Sequence, residues 1–210
     1  MKKIFLALMV CGAFLLFGNT ASALQFDLTY EFDGVLPVQS YGTVDVTENS
    51  GDLNFIINAN TSTLGPNADI HELYFNLTNT ITGLSITADN APNSPYTLIG
   101  PNPSVAGGAG SSFDWGVNFG NGAGASGNGI LKYATFTLSA DQNLLVNNLL
   151  EYSYSNNAPP ANMAVHFQGT STQAGSETVG GSPAPEPATM LLLGSGLVGL
   201  AGFGRKKFKK

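Results

Sequence analysis

The chain has 210 residues, of which 8 are basic and 14 acidic, and its formal net charge is −6. Lys132 is the only basic residue between the two ends, where thirteen acids lie, so residues 24–184 carry a formal charge of −12. Such a surface repels phosphates, which excludes nucleic acid and anionic lipid as partners.

The N-terminal residues 1–23 are typical of a secretory signal peptide. A basic start and an apolar run lead to a small-x-small site, in the order Lys2, Lys3, residues 4–17, Ala21 and Ala23. We expect signal peptidase to cleave after Ala23, which makes Leu24 the mature N-terminus. An uncleaved signal anchor is the less favoured alternative, because the apolar run is short for a membrane span. Cleavage removes Cys11, the only cysteine, so we expect no disulfide, thiol nucleophile or cysteine metal site in the mature chain.

The middle of the chain repeatedly alternates apolar and polar residues, which is the pattern of half-buried β-strands. The clearest run covers residues 24–32, and others cover residues 44–46, 53–57, 73–77, 84–86, 113–119, 134–138 and 163–167. Short strands about ten residues apart, separated by Gly, Asn and Pro, predict an antiparallel all-β domain. We expect a β-sandwich or jelly roll over residues 24–170. Residues 140–150 fit either a short helix or a further strand.

Three stretches have the composition of loops. Residues 91–110 contain four prolines, and residues 120–129 consist mostly of Gly and Asn, which favour turns. Residues 168–183 are rich in Ser, Thr and Gly. They predict a last short strand that runs into a flexible linker over residues 171–184.

The C-terminal residues 185–210 fall into three parts. Pro185, Glu186 and Pro187 come first and cannot all be helical. Residues 188–203 carry no charge and predict a short transmembrane helix, and the basic tail 204–210 includes Arg205, Lys206 and Lys207. The basic tail stays cytoplasmic by the positive-inside rule, so the middle of the chain lies outside. A helix shorter than the about 20 residues of a typical span suits a temporary stop better than a permanent anchor.

This tail resembles the PEP-CTERM sorting signal of Gram-negative bacteria. The matching parts are the Pro-Glu-Pro motif, the apolar segment interrupted at Gly194, Ser195 and Gly196, and the basic end. The resemblance implies recognition by an exosortase, a membrane-embedded cysteine peptidase, and cleavage near the Pro-Glu-Pro motif. It also implies transient anchoring in the inner membrane, followed by transfer of the domain to the cell surface or to the extracellular matrix.

Motifs that signal catalysis are missing from the sequence. His71-Glu72 lacks the second histidine of a zincin motif, and the sequence has no nucleophile elbow or phosphate-binding loop. His166 alternates with apolar neighbours and should point away from the main core. A carboxylate pair for glycoside hydrolysis stays open as an alternative, because such pairs form only in the fold. We therefore expect a protein that is not an enzyme and needs no cofactor.

Two weaker patterns are compatible with ligand binding. Oxygen ligands suited to calcium lie close in sequence at Asp45, Glu48 and Asp52, although they do not fit an EF-hand loop. Side chains suited to stacking on sugars and bonding their hydroxyls are Trp115, Asn118, Asn121, Tyr152 and Tyr154. Burial in the core is the preferred expectation for the three aromatic residues, and a solubilising surface role for the acids.

These observations together predict a structural or adhesive surface protein of the exopolysaccharide or biofilm matrix. The alternative is a carbohydrate-binding, lectin-like module that calcium assists. The expected partners are signal peptidase and an exosortase as processing enzymes, and exopolysaccharide or other matrix components as the binding partner.

Overall fold

The computed structural model describes residues 22–32, 34, 36–78, 80–89, 96–106, 112–120, 129–154, 159–172, 175–184 and 194–196. The predicted signal peptide up to Ala21 lies outside these residues, and so do Asn121, the Pro-Glu-Pro motif and the basic tail. Residues 194–196 are the described part of the predicted transmembrane helix, and they are helical. None of the helices in the described ranges combines the length and the hydrophobicity that a membrane span requires.

Within these described ranges, ten antiparallel strands form one continuous sheet. They are β1 (Ala23–Glu31), β2 (Gly42–Asn49), β3 (Asp52–Ala59), β4 (Asp69–Phe75), β5 (Ser85–Ala88), β6 (Thr97–Ile99), β7 (Trp115–Asn118), β8 (Tyr133–Ser139), β9 (Met163–Gln168) and β10 (Ser176–Pro183). Their order across the sheet is β5-β8-β3-β2-β1-β10-β9-β4-β7-β6. A short helix, α1 (Thr61–Leu64), follows β3, and a 3₁₀ helix (Val146–Leu149) follows β8. The prediction of an antiparallel all-β domain is confirmed.

The alternation seen in the sequence decides which side of each strand is buried. In β1, Phe26 and Leu28 are fully buried, whereas Asp27 between them is partly exposed. The register continues this apolar face across the sheet, because Val44 of β2 pairs with Phe26 on one side and with Ile57 of β3 on the other. Burial of each such side chain contributes about 1.5–3 kcal/mol to folding.

The sheet folds over so that its two halves face each other across this core. Phe55 on β3 stacks on Phe136 of the neighbouring β8, with ring centroids 4.7 Å apart. Phe55 also lies 5.9 Å from Phe75, which belongs to β4 in the other half. The predicted sandwich would have two separate sheets. That part of the prediction is corrected, because β10 joins both halves into a single hydrogen-bonded ladder.

Most of the predicted linker is a strand at the centre of the sheet. Residues 176–183 pair with β1 on one side and with β9 on the other. Val179 is fully buried in the main core, and Thr178 is buried on the opposite face. The prediction of a flexible linker over residues 171–184 is therefore wrong for residues 176–183, which form β10. The physical reason is that β1 and β9 each offer an unpaired edge, which a strand of modest hydrophobicity can fill.

One end of the sheet, the exit end, is where β1 begins and β10 ends. Residues 144–154 cross this end. The N–H of Leu144 donates to the carbonyl of Gly51 in the β2–β3 turn at 2.8 Å, and the N–H of Thr78 after β4 donates to the carbonyl of Asn148 at 2.8 Å. The segment covers the core with the buried side chains Leu144, Val146 and Leu149.

Candidate functional site

The strand that precedes the predicted sorting segment ends at the exit end. Pro183 pairs with Phe26, and the N–H of Ala184 donates to the carbonyl of Gln25 at 2.7 Å. The β1–β10 ladder thus continues to the last residue before the Pro-Glu-Pro motif. The motif begins in sequence where the sheet ends, without the flexible spacer that the composition predicted.

The predicted signal peptidase site lies at the same end of the sheet. Ala23 and Leu24 are the first two residues of β1, and they pair with Thr47 and Val46 of β2. The bond between Ala23 and Leu24 is therefore part of a ladder in the folded chain. Because β1 and β10 are antiparallel neighbours, the predicted signal peptidase site lies beside Ala184, the residue that precedes the Pro-Glu-Pro motif in sequence.

Two exposed tyrosines lie on the segment that crosses the exit end. Tyr152 is 43% exposed and Tyr154 is 69% exposed, and their ring centroids are 6.2 Å apart. Ser153 between them is buried, because its backbone pairs with Ala161 and its hydroxyl donates to the carbonyl of Ser112. The preferred expectation that these tyrosines are core residues is wrong. The fixed residue between them instead holds both rings towards solvent.

A third tyrosine, Tyr30, supports this surface. Its hydroxyl donates to the carbonyl of Pro160 at 2.6 Å, and its ring meets Phe32 edge-on with centroids 5.9 Å apart. The ring also covers Gly180 of β10, which has no side chain to prevent this contact. Burial raises the pKa of the Tyr30 phenol, with nearby Tyr152 adding to the effect, so the hydroxyl remains a neutral donor.

The other predicted sugar-binding residues take part in the fold. Trp115 is partly buried, packs against the main core and lies close to Gly100. The side-chain amide of Asn118 donates to Oε1 of Glu72 at 3.0 Å, and its oxygen accepts from the N–H of Gly120 at 2.7 Å. Asn121 lies outside the described residues. Among the described residues of the predicted set, the exposed ones are therefore the tyrosine pair.

The structure does not bring the predicted calcium ligands together. Asp45 lies on the outer face of β2, where its carboxylate accepts from the amide of Gln25 at 2.6 Å. Glu48 lies three residues further along and accepts from the N–H of Val146 at 2.8 Å at the exit end. Side chains three apart on a strand point to opposite faces. In the described part of the chain, no three His, Cys, Asp or Glu side chains are placed to hold a metal ion.

A buried polar cluster covers the outer face of β4, β9 and β10, and the sequence pattern missed it. His166 is only 5% exposed, and its ring lies 5.8 Å from that of His71. Nδ1 of His166 lies 2.9 Å from Oγ1 of Thr178, whose hydroxyl donates to the carbonyl of Ala106. The Thr178 oxygen therefore accepts from His166, which places the proton of the neutral ring on Nδ1.

The cluster holds a covering segment on this face. Tyr74 donates its hydroxyl proton to the carboxylate of Glu72 and accepts from the N–H of Ala106 at 3.3 Å. Burial and the neighbouring His71 lower the pKa of His166, and Glu72 opposes them. His166 does point away from the main core as predicted, but residues 104–106 cover it. The arrangement fits a neutral, structural histidine better than an exposed catalytic base.

Comparison with known proteins identifies the tail alone. A family model described as the PEP-CTERM protein-sorting motif matches residues 183–206. No curated protein and no solved structure matches the chain significantly. The match begins at Pro183, the last residue of β10, so the recognised signal overlaps the end of the sheet. The chain thus carries a PEP-CTERM sorting signal, which implies export, transit through the membrane and processing by an exosortase.

Proposed function

We propose that this chain is an exosortase-sorted surface protein whose β-domain has an adhesive or structural role in the exopolysaccharide matrix. The observation that carries the proposal is the sorting motif at residues 183–206, which directly follows a folded and strongly acidic domain. Its acidic surface keeps such a domain soluble outside the cell and away from anionic lipid. The role itself is binding and not catalysis.

Localisation of the full chain tests the sorting part of this proposal. In cells that carry an exosortase, the chain should be recovered at the surface or in the matrix without residues 188–210. Deletion of the exosortase should leave the full tail in the membrane fraction. A cell-associated protein that still ends at Lys210 in exosortase-positive cells would contradict the proposal.

The exposed tyrosine pair supports a more specific alternative, a carbohydrate-binding module. Flat aromatic rings held rigidly in solvent can stack on the apolar faces of sugar rings, and the nearby hydroxyl and carbonyl groups can bond sugar hydroxyls. Tyr152 and Tyr154 fit this description, whereas Trp115 and Asn118 are used within the fold. A neutral or hydroxyl-rich glycan suits the acidic surface better than an acidic polymer.

Retention on the organism's own exopolysaccharide tests this alternative. The processed protein recovered from cells should be retained, and replacing Tyr152 and Tyr154 together by Ala should weaken retention about tenfold or more, which corresponds to about 1.4 kcal/mol. Tyr133→Ala is a matched control, because Tyr133 is 46% exposed at the opposite end of the sheet. Equal retention of all three proteins would exclude the tyrosines as a binding surface.

The same polymer also tests the absence of catalysis and of a calcium requirement. We propose that the protein releases no reducing ends from the polysaccharide and that a calcium chelator leaves retention unchanged. Release of reducing ends would instead favour a glycoside hydrolase, for which paired carboxylates are the usual machinery.

A further inference from the structure

The register of β10 constrains how the sorting signal is cut. Hydrogen bonding of the central strand continues to Ala184, and the predicted transmembrane helix begins at residue 188. Three residues, 185–187, separate the two, and they span at most about 10 Å when extended. While the helix is anchored, the exit end of the domain must therefore face the membrane.

Opening β10 to expose a bond within it would be costly. The strand pairs through Glu31, Tyr30, Leu28, Asp27 and Phe26 on β1 and through all of β9. Roughly ten ladder hydrogen bonds, at about 1 kcal/mol each, approach the whole stability of a typical domain. Peptidases act on segments that are free of secondary structure, so a cut within residues 176–183 carries this cost, whereas a cut on the C-terminal side of Ala184 opens none of these pairings.

The N-terminal site has the opposite property. Its scissile bond, between Ala23 and Leu24, lies within the β1–β2 ladder. Signal peptidase therefore needs its substrate before β1 has paired with β2 at this point.

Resting on the sorting function above, we propose a fixed order of processing. Signal peptidase cuts before the sheet is complete, and the exosortase then cuts the fully folded domain on the C-terminal side of Ala184, with β10 in place. The mature protein accordingly keeps the whole of β10 and ends within residues 184–187.

A disulfide between β1 and β10 tests this order. Asp27 and Ser182 are paired residues on the outer face. The N–H of Ala184 donates to the carbonyl of Gln25, so Gln25 and Ala184 are a hydrogen-bonded pair. Because hydrogen-bonded and non-hydrogen-bonded pairs alternate along an antiparallel ladder, Asp27 and Ser182, two residues away, are also a hydrogen-bonded pair. Such pairs have a Cα separation of about 5.5 Å, which suits a disulfide. Because the only natural cysteine is Cys11, Asp27→Cys with Ser182→Cys introduces the only thiols of the mature chain.

The full chain is expressed in exosortase-positive cells, and precursor and product are followed by pulse-chase and mass spectrometry. The disulfide, detected by alkylation before and after reduction, proves that the two strands have met. We expect the cross-linked chain to be processed at the rate of the wild type and of each single-cysteine variant, with its C-terminus within residues 184–187. The proposal would be overturned if cross-linked precursor accumulated and was processed only after a reductant had opened the disulfide. A C-terminus within residues 176–183 would also overturn it. If the wild type itself is not processed, the sorting function fails instead.

Discussion

Gly180→Ala tests directly that β10 is a packed strand with Tyr30 lying across it. A Cβ atom at residue 180 would lie 2.5 Å from Cε2 and 2.8 Å from Cζ of Tyr30, closer than side-chain atoms approach one another. The ring cannot move away freely, because its hydroxyl is bonded to Pro160 and its edge meets Phe32. In a flexible linker, the same substitution would have almost no effect.

The contact predicts the size of the loss. Overpacking of this kind costs about 1–3 kcal/mol. For a domain of this size, a loss of about 2 kcal/mol lowers the melting temperature by about 4–8 °C. In a Tyr30→Ala background the obstructing ring is gone, so the second substitution should cost about 0 kcal/mol. The double-mutant cycle should therefore show a coupling of about 2 kcal/mol between residues 30 and 180.

Urea and thermal unfolding of the processed protein measure all four corners of this cycle. Tyr30→Ala alone also lowers stability, because it removes the bond to Pro160 and the contact with Phe32, and the cycle subtracts this effect. The reasoning would be refuted if Gly180→Ala changed stability equally with and without the Tyr30 ring. Equal stability of Gly180→Ala and the wild type would refute the strand assignment itself.

Three further predictions follow from burial and position. Burial lowers the pKa of His166 in the folded chain. The unfolded chain therefore binds a proton on this histidine near pH 6.5, whereas the folded chain resists protonation, so the wild-type free energy of unfolding should fall as the pH drops from about 7 to 5. The free energy of unfolding of His166→Gln should fall less in the same urea titrations. Asp69→Ala removes the acceptor for the N–H of Leu131 at 2.6 Å, so the free energy of unfolding measured in urea should fall by about 1–3 kcal/mol. Asp69→Asn keeps an acceptor and should cost less. Tyr154→Cys should react with a membrane-impermeant maleimide more slowly in the anchored precursor than in the released protein, whereas Tyr133→Cys at the opposite end should react equally fast in both. If the ratio of the two reaction rates, precursor to released protein, were the same for both variants, the exit end would not face the membrane.

Period-2 patterns predicted the strands that carry large apolar side chains. The runs around Phe26, Phe55 and Phe136 all became strands with the expected face buried, because burial of those rings dominates the local free energy. β6 was not predicted, and the residues of β10 were predicted to be a linker that follows a last short strand, for a common reason. Residues 97–99 lie between prolines, and β10 contains Gly180 and Gly181, so their local preference is for loops and only pairing with neighbouring strands makes them extended.

The candidate site residues show a second limit of sequence patterns. Tyr152 and Tyr154 have the alternation of a buried strand, yet they are exposed because Ser153, the residue between them, is the one fixed to the domain. The His71–His166 pair joins residues far apart in sequence through the β4–β9 register, which no local pattern contains. Whether a particular face of a strand is buried depends on which other segments pack on it. Those contacts join residues distant in sequence, so a local sequence pattern does not contain them.

The position of β10 also explains why the sandwich prediction was nearly right. Without this strand, the ladder would divide into β5-β8-β3-β2-β1 and β9-β4-β7-β6, two sheets that face each other across one core. The strand that joins them is the last to be made, and the sorting signal follows it at once. Export requires residues 176–183 to cross the membrane before the sheet can close, and under the proposed order of processing the same step makes residues 185–187 accessible to the exosortase. In that proposal, completion of the fold and access to the predicted cleavage segment depend on the same translocation step.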